Sequence, residues 1–195
     1  MATAPPSKPE LREAHATRRS ARSDADQERL SRGLRDQVLA LPEIAAATRV
    51  AAFLSQDGEP GTRPLIDALR AAGVEVLIPI LRDDFDLDWG RFEPGEQTRG
   101  RFGLLVPTTP PLGEDAVASA DVVVCPGVAV DRAGNRLGRG GGSYDRALAR
   151  CADPVLRVQL VYDDEVVDAV PAEAHDQRVD VIVTPTKTQR LRRTH

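Results

Sequence analysis

The sequence predicts an α/β protein, built as an open, mostly parallel sheet with helices on both faces and preceded by an N-terminal helical segment. Three observations lead to this fold class. Short apolar runs typical of buried strands alternate with helical patterns. One strand, one helix and a second strand fall within about thirty residues, the length of a right-handed parallel crossover. Aromatic residues make up only 4% of the chain, so aliphatic side chains must fill the core.

The N-terminal part of the chain has a helical pattern. Residues 1–7 are small and include prolines, so we expect them to be frayed. From Lys8 to Leu41, Arg and Glu are scattered among regularly spaced apolar residues. Asp24 is a candidate cap for a second helix, because helix-forming residues follow it. Pro42 marks the end of this helical region.

A strand–helix–strand unit follows. Val50–Leu54 is a short apolar run that predicts a buried strand, and Leu65–Ala72 predicts a helix that stops at Gly73. Val74–Ile80 predicts the next strand. Residues 82–112 are irregular and rich in Asp, Gly and Pro, and we expect a short antiparallel or edge excursion there.

The C-terminal half continues the alternation of strands and helices. Val122–Cys125 predicts a buried strand, and a glycine-rich segment leads from it to a helix at about Tyr144–Arg150. Two more strands are predicted near Val155–Val161 and Val179–Val183. We expect residues 186–195 to form a solvated basic tail, and residues 1–195 as a whole to form a single domain.

Composition excludes several classes of protein. With 26 basic and 30 acidic residues, the formal net charge of −4 argues against bulk electrostatic binding to nucleic acid. The two cysteines match no zinc pattern and make no secreted disulfide framework. The sequence contains neither the apolar run of a signal peptide nor the ~20 apolar residues of a membrane span. We expect a cytoplasmic monomer whose partners are small molecules rather than nucleic acid or a membrane.

The segment 131–146 is the most informative for function. Four of its glycines, Gly138 and Gly140–Gly142, permit close approach of the backbone to an anion. The next helix offers free N–H groups, and Arg136 and Arg139 add fixed positive charge. These features favour phosphate binding, although a glycine-rich loop equally fits an ordinary turn. Neither the P-loop nor the dinucleotide fingerprint matches.

The glycine segment also carries a family resemblance. Residues 136–145, Arg-Leu-Gly-Arg-Gly-Gly-Gly-Ser-Tyr-Asp, resemble the Arg-Leu-Gly-x-Gly-x-Gly-Tyr-Tyr-Asp signature of 5-formyltetrahydrofolate cyclo-ligases. Segments 8–12, 55–62, 124–131 and 175–184 resemble further motifs of that family, in the same order. The chain departs from the pattern at Ser143, where the family has a second aromatic residue, and at Val106, where it usually has Glu.

The resemblance implies a reaction and a set of ligands. The reaction converts 5-formyltetrahydrofolate and ATP into 5,10-methenyltetrahydrofolate, ADP and phosphate, with Mg²⁺ as cofactor and no side-chain nucleophile. It implies Arg136, Arg139 and Asp145 as catalytic residues, and Asp145 and Asp176 as magnesium ligands. It implies that folate binds Glu59, Arg12 and Tyr144. The implied ATP ligands are Lys8, Arg12, Arg136, Leu137, Gly138, Arg139, Gly140, Gly141, Gly142, Ser143 and Tyr144.

Each of these residues also has a purely local interpretation. Lys8 and Arg12 share one helix face, which apart from the resemblance is more typical of a solvated basic helix. Asp145 fits a helix cap, while Asp176 and Glu59 fit exposed loop acids. Among residues outside these sets, His15 is predicted on the helix surface.

Four other residues are candidate contributors to the site. Asp131 either orients the glycine loop or bonds its own turn. His175 is interpreted as shaping the loop of Asp176, and Trp89 and Phe102 as lining the folate cleft or the core.

Two other functions compete with the cyclo-ligase reaction. The first is a diverged relative that binds nucleotide or folate without cyclising it, which the departures at Ser143 and Val106 leave open. The second is a nucleic-acid-binding protein that uses its basic N-terminal helices. The latter is disfavoured because residues 1–35 contain no aromatic residue on which bases would stack.

Overall fold

The computed structural model describes residues 6–56 and 58–191. Its helices are α1 (Lys8–Ser20), α2 (Asp24–Leu39), α3 (Pro42–Ala46), α4 (Arg63–Ala71) and α5 (Ser143–Ala149). Its strands are β1 (Arg49–Ala51), β2 (Glu75–Leu81), β3 (Leu87–Arg91), β4 (Gln97–Arg99), β5 (Leu105–Pro107), β6 (Val122–Cys125), β7 (Ala129–Asp131), β8 (Arg136–Leu137), β9 (Leu156–Leu160), β10 (Val166–Val167), β11 (Val181–Val183) and β12 (Thr188–Arg190).

The main sheet has seven strands in the order β12-β11-β9-β6-β1-β2-β3. The five central strands are parallel, whereas β3 and β12 pair antiparallel at the two edges. The predicted fold class is therefore confirmed. α4 makes the predicted crossover from β1 to β2. Gly73 ends it with φ +81°, and the Val74 N–H donates to the Leu69 carbonyl at 3.0 Å.

Helices cover both faces of the main sheet. Alternate residues of a strand point to opposite faces, so Val50 packs beneath α2 and α4 while Ala51 packs towards α5. Leu34 of α2 is fully buried in the first layer and Leu148 of α5 in the second. Truncating Leu34 to Ala should cost about 3 kcal/mol of stability, since it leaves a cavity.

The N-terminal segment differs from expectation in two details. Ser7 caps α1: its backbone N–H donates to Glu10 Oε2 at 2.8 Å, and its hydroxyl accepts from the Glu10 N–H. The expectation of fraying is thus wrong for Ser7, while residues 1–5 lie outside the described residues. Ser23, rather than Asp24, caps α2 by accepting from the Asp26 N–H at 3.2 Å. Pro42 begins the short helix α3.

Two smaller sheets complete the architecture. The irregular region 82–112 holds the antiparallel edge strand β3, as predicted, and the β4–β5 hairpin. A three-stranded sheet, β10-β7-β8, was not predicted because its strands are two or three residues long. α1 packs against this sheet, with Leu11 buried beside Ala129 and Leu137. That contact holds α1 next to the loop that follows β8.

The expected basic tail is partly an element of the sheet. Thr188–Arg190 forms β12, and the Arg190 guanidinium donates to both carboxylate oxygens of Glu43 at 2.8 and 2.6 Å. The expectation of a solvated tail is therefore wrong for these residues, and residues 192–195 lie outside the described residues. Across residues 6–56 and 58–191, none of the helices combines the length and apolar character that crossing a membrane requires.

Candidate active site

A cavity of about 740 Å³ opens at the carboxyl ends of neighbouring parallel strands. Leu54 follows β1, Leu81 ends β2 and Gly127 follows β6, and all three residues line the cavity. Open parallel sheets bind ligands at this edge. α1 and the glycine loop (residues 138–142) form further walls. The cavity is lined by every predicted site residue, namely Lys8, Arg12, Glu59, Arg136, Leu137, Gly138, Arg139, Gly140, Gly141, Gly142, Ser143, Tyr144, Asp145 and Asp176.

The glycine loop joins β8 to α5 through positive backbone dihedrals. Gly140 has φ +107° and Gly142, which precedes the first turn of α5, has φ +67°. Residues other than glycine rarely adopt these φ values, so the loop needs glycine at both positions. Arg12 Nε donates to the Gly138 carbonyl at 2.9 Å, which ties α1 to the loop. The structure thus places Arg12 and the loop side by side, as the sequence predicts.

The base of the glycine loop contains a nearly buried ion pair. Arg136 Nη2 donates to Asp145 Oδ1 at 2.6 Å, and the Arg136 side chain is only 3% exposed. The same Asp145 oxygen accepts from the Gln177 N–H at 2.9 Å, so Asp145 also holds the segment that leads from Asp176. Arg136 Nε has no hydrogen-bond partner within the described part of the chain. The atom is buried, and proteins rarely leave a buried donor unpaired, so an acceptor there would be stabilising.

The tip of the glycine loop contacts the segment after β1. Arg139 Nη2 lies 2.7 Å from Glu59 Oε1, and Arg139 Nη1 donates to Gln56 Oε1 at 2.9 Å. The Arg139 side chain is 61% exposed and that of Glu59 only 10% exposed. The Gln56 N–H donates to Glu59 Oε2 at 2.8 Å, which fixes the carboxylate. A predicted phosphate ligand is therefore paired with the predicted folate ligand.

A third ion pair joins α1 to the C-terminal loop. Lys8 Nζ lies 2.8 Å from Glu173 Oε1 and 3.1 Å from Asp176 Oδ2. The hydrogen bond to Glu173 raises the pKa of Lys8 above its ordinary value. Burial works to raise the pKa of Asp176, but hydrogen bonds from the Glu173 N–H and from Lys8 outweigh it, so this pKa is lowered. Asp176 is a carboxylate at neutral pH.

The predicted metal ligands provide an oxygen-only donor set. Among residues 6–56 and 58–191, no group of three or more His, Cys, Asp and Glu side chains is arranged to hold a metal. Asp145 and Asp176 nevertheless line one cavity beside the glycine loop. Two carboxylates suit magnesium, which commonly takes one or two from protein and completes its shell with phosphate oxygens and water. The residues present therefore fit this ion.

Tyr144 is a cavity residue with an aromatic neighbour. Its ring stands edge-on to Trp89, with centroids 6.4 Å apart and planes at 89°. Burial raises its pKa well above the ordinary value, so the phenol stays protonated. Its hydroxyl is buried and lacks a hydrogen-bond partner among the described residues. Trp89 itself is fully buried in the core, the second of its two predicted interpretations.

The remaining candidates fall into structural roles. The prediction that His15 lies on the helix surface is wrong: it is 1% exposed, and burial lowers its pKa so that it is neutral at pH 7. Asp131 accepts from the Ala133 and Asn135 N–H groups at 2.9 and 3.0 Å, so it bonds its own turn. It also accepts from the Val170 N–H, which fixes the turn to the rest of the fold.

His175 lies at the surface 3.5 Å from Asp176, in the role of shaping that loop. Phe102 is an exposed residue at the cavity.

Several contributors to the site were missed from the sequence. Arg19 forms a buried, two-point ion pair with Glu165, and its Nη2 donates to the Gly127 carbonyl at 2.6 Å. This pair anchors α1 to the cavity wall. Glu173 was missed because it lies in a loop without periodicity. The i, i+4, i+8 spacing of Leu11, His15 and Arg19 was the available signal, since it marks one buried face of α1.

Comparisons with known proteins agree with this geometry. A family model described as the 5-formyltetrahydrofolate cyclo-ligase family matches residues 4–185. A 5-formyltetrahydrofolate cyclo-ligase of Mycolicibacterium smegmatis is 38% identical over 188 residues, covering 94% of this chain and 96% of the relative. One of Escherichia coli is 32% identical over 174 residues, covering 87% and 96%.

Two solved structures are similar to this chain. The 5,10-methenyltetrahydrofolate synthetase of Aquifex aeolicus superposes with a TM-score of 0.82 at 30% identity, covering 96% of this chain and 94% of that structure. A synthetase from Mycoplasma pneumoniae, at 18% identity and a TM-score of 0.74, shares the fold.

Proposed function

The chain belongs to the 5-formyltetrahydrofolate cyclo-ligase family, and we propose that it cyclises 5-formyltetrahydrofolate to 5,10-methenyltetrahydrofolate in a reaction that needs ATP and magnesium and releases ADP and phosphate. The observation that carries the proposal is one cavity at the carboxyl edge of the sheet. Cations from α1 and from the glycine loop meet carboxylates there that suit magnesium and a pterin.

The proposed reaction has two steps. The formyl oxygen of the substrate attacks the γ-phosphorus of ATP; an O–P bond forms, the bond to the β–γ bridging oxygen breaks, and ADP leaves. The substrate's N10 then attacks the activated formyl carbon and loses its proton. The C–O bond breaks as phosphate leaves, and the ring closes. This chemistry depends on positioning and charge neutralisation rather than on a protein nucleophile.

The chain's own residues suit such a mechanism. Burial raises the pKa of Cys125 to about 12, so its thiol is not a nucleophile at neutral pH. Arg139 is the exposed cation at the loop tip, and it is positioned to exchange Glu59 for phosphate oxygens. Arg136 Nε and the Tyr144 hydroxyl are buried donors without partners in the described residues, and the two residues that carry them line the cavity. We assign these groups to the phosphates and to the substrate.

Asp145 and Asp176 would hold magnesium, which supplies positive charge to the phosphates when bound. Each carboxylate is already paired with a cation, Arg136 for Asp145 and Lys8 for Asp176. These cations orient both carboxylates. Glu59 is the proposed pterin ligand, because a fixed carboxylate accepts paired hydrogen bonds from an amino group and a ring N–H.

The direct test is an absorbance assay for methenyltetrahydrofolate with purified protein, 5-formyltetrahydrofolate, ATP and magnesium. Reactions without ATP and with Asp145→Asn are the negative controls. The Asn side chain keeps the shape around Arg136, which Ala would leave unpaired. Asp67→Asn, in an exposed pair with Arg63 on α4, is a matched control for loss of one carboxylate. We expect ATP-dependent product from wild type and Asp67→Asn only.

The departures from the family signature define the alternative outcome. Ser143 lines the cavity, whereas Val106 lies in β5 opposite Thr98 and packs near Gly100. The Val106 departure therefore bears on the packing of the hairpin. Wild-type protein that binds ATP or folate but forms no product would contradict the proposal and identify a diverged binding protein.

A further inference from the structure

Phe85 is an exposed aromatic residue at the cavity, and no motif singles it out. Its side chain is 43% exposed and lines the cavity together with that of Phe102, which is 69% exposed. The two rings stack with centroids 6.4 Å apart and planes within 18°. Both residues have positive φ, +63° for Phe85 and +51° for Phe102. Large side chains rarely adopt this region, so such outliers concentrate where a site requires them.

The backbone of Phe85 is held against the glycine loop. Arg146 Nη2 donates to the Phe85 carbonyl at 2.6 Å and to the Gly141 carbonyl at 3.1 Å, so one guanidinium joins both segments. The next residue, Asp86, accepts two hydrogen bonds from Arg150, at 2.9 and 2.6 Å. Two successive residues of this turn are therefore anchored to α5. The backbone that carries the Phe85 ring is thus held by the fold.

The ring lies beside the position where the chain departs from its family signature. A Cβ atom placed on Gly141 would be 3.6 Å from Phe85 Cδ1 and 3.4 Å from Ser143 Oγ. Phe85 and Ser143 thus flank the same peptide of the loop. The signature has an aromatic residue where this chain has Ser143, and a serine provides no ring for the cavity wall.

We propose that Phe85 supplies this missing aromatic surface and stacks against a planar heteroaromatic ring of one of the two substrates. The inference rests on the proposed function, because that function provides two such rings, the pteridine of the folate and the adenine of ATP. Aromatic side chains bind planar rings through offset stacking and apolar contact. Phe102 packs against the Phe85 ring, and Arg101 Cζ lies 5.8 and 5.4 Å from the centroids of the Phe85 and Phe102 rings.

The test compares Phe85→Gly, Phe85→Tyr and the double variant Phe85→Gly/Ser143→Tyr with wild type. Glycine removes the ring and suits φ +63°, so the variant separates loss of stacking from backbone strain. Leu112→Ala, at an exposed apolar residue outside the cavity, is the matched control. KM is measured for each substrate, and calorimetry gives Kd for 5-formyltetrahydrofolate alone and for ATP with magnesium alone.

For Phe85→Gly we expect KM and Kd to rise about ten-fold for one substrate and to stay within about two-fold for the other. The affected substrate identifies the ring. Phe85→Tyr should resemble wild type, and Ser143→Tyr should recover most of the loss in the double variant. Unchanged constants, or equal rises for both substrates, would overturn the inference.

The two proposals fail in different ways. Wild type without turnover but with ring-dependent binding contradicts the proposed reaction and keeps the role of Phe85. Wild type that binds neither substrate overturns both.

Discussion

Arg136 in β8 and Arg139 in the glycine loop lie three positions apart, but their surroundings are opposite. Arg136, at the base, is 3% exposed and pairs with Asp145, which also holds the Gln177 backbone. Arg139, at the tip, is 61% exposed and pairs with Glu59. Loss of Asp145 would leave the buried Arg136 cation uncompensated, whereas Arg139 is exposed to water and stays hydrated when it leaves Glu59. The base therefore fixes the geometry, and the tip is free to exchange partners.

The cations that line the cavity are already paired with carboxylates. Lys8, Arg136 and Arg139 each contact a carboxylate across the cavity wall. Phosphate and pterin groups must then compete with these internal partners. Displacing Glu59 from Arg139 costs little on the arginine side, since that side chain is exposed to water. Displacing Asp145 from the buried Arg136 costs much more.

The largest expected effect is that of Arg136→Ala. Removing the guanidinium leaves Asp145 without its cation and Gln177 without a fixed acceptor. We expect the free energy of unfolding to fall by about 3 kcal/mol and kcat to fall on the order of 10³-fold. Urea unfolding and the absorbance assay measure the two quantities. A variant of normal stability would show that the base of the loop is not the fixed point described here.

Arg139→Gln should affect activity but not stability. We expect kcat to fall on the order of 10²-fold, the typical cost of one preorganised donor. The free energy of unfolding should change by no more than about 0.5 kcal/mol, since the side chain is exposed. Arg29→Gln, in an exposed pair with Asp26 on α2, is the matched control and should change neither quantity. Destabilisation comparable to that of Arg136→Ala would remove the contrast between base and tip.

Glu59→Gln changes the carboxylate partner of Arg139. The substitution keeps the shape but removes the charge that pairs with Arg139 and accepts the proposed pterin hydrogen bonds. We expect the KM for 5-formyltetrahydrofolate to rise about ten-fold and more than the KM for ATP. Steady-state kinetics with each substrate varied gives both constants. The reverse order would place Glu59 on the nucleotide side.

The smallest effect concerns the ion pair between Asp86 and Arg150, the residue that follows α5. Arg150 donates to Asp86 and holds the pKa of that carboxyl below its ordinary 3.8, with burial opposing. A lowered folded-state pKa stabilises the protein above the unfolded pKa, and this stabilisation is lost as pH falls through the folded pKa. Asp86→Asn should thus cost on the order of 1 kcal/mol near neutral pH, and the difference should shrink below about pH 4.

Urea unfolding at several pH values measures that difference. Asp67→Asn, whose pair with Arg63 is exposed, should shift stability by no more than about 0.5 kcal/mol at neutral pH. A gap between wild type and Asp86→Asn that stays constant down to about pH 3 would contradict a role for the ionised carboxylate.

The central strands, the crossover and the position of the glycine loop follow from local signals in the sequence. Val122–Cys125 and the crossover helix that ends at Gly73 are recognisable because apolar runs, helical spacing and a glycine stop are local signals. The site residues were found through ordered motifs, and the fold brings them to one cavity. The polar composition of Thr188–Arg190 predicts a solvated tail. Pairing with β11 makes this segment an edge strand instead.

Which charged side chains meet depends on how the elements pack. Lys8 and Asp176 are 168 positions apart, and no local pattern brings Arg139 to Glu59. His15 is buried because α1 docks on the cavity wall through Arg19 and Glu165, so its surroundings depend on a contact between distant segments. Phe85 reaches the glycine loop through Arg146. Local propensity fixes elements, whereas burial and pairing of charges depend on the packing of those elements.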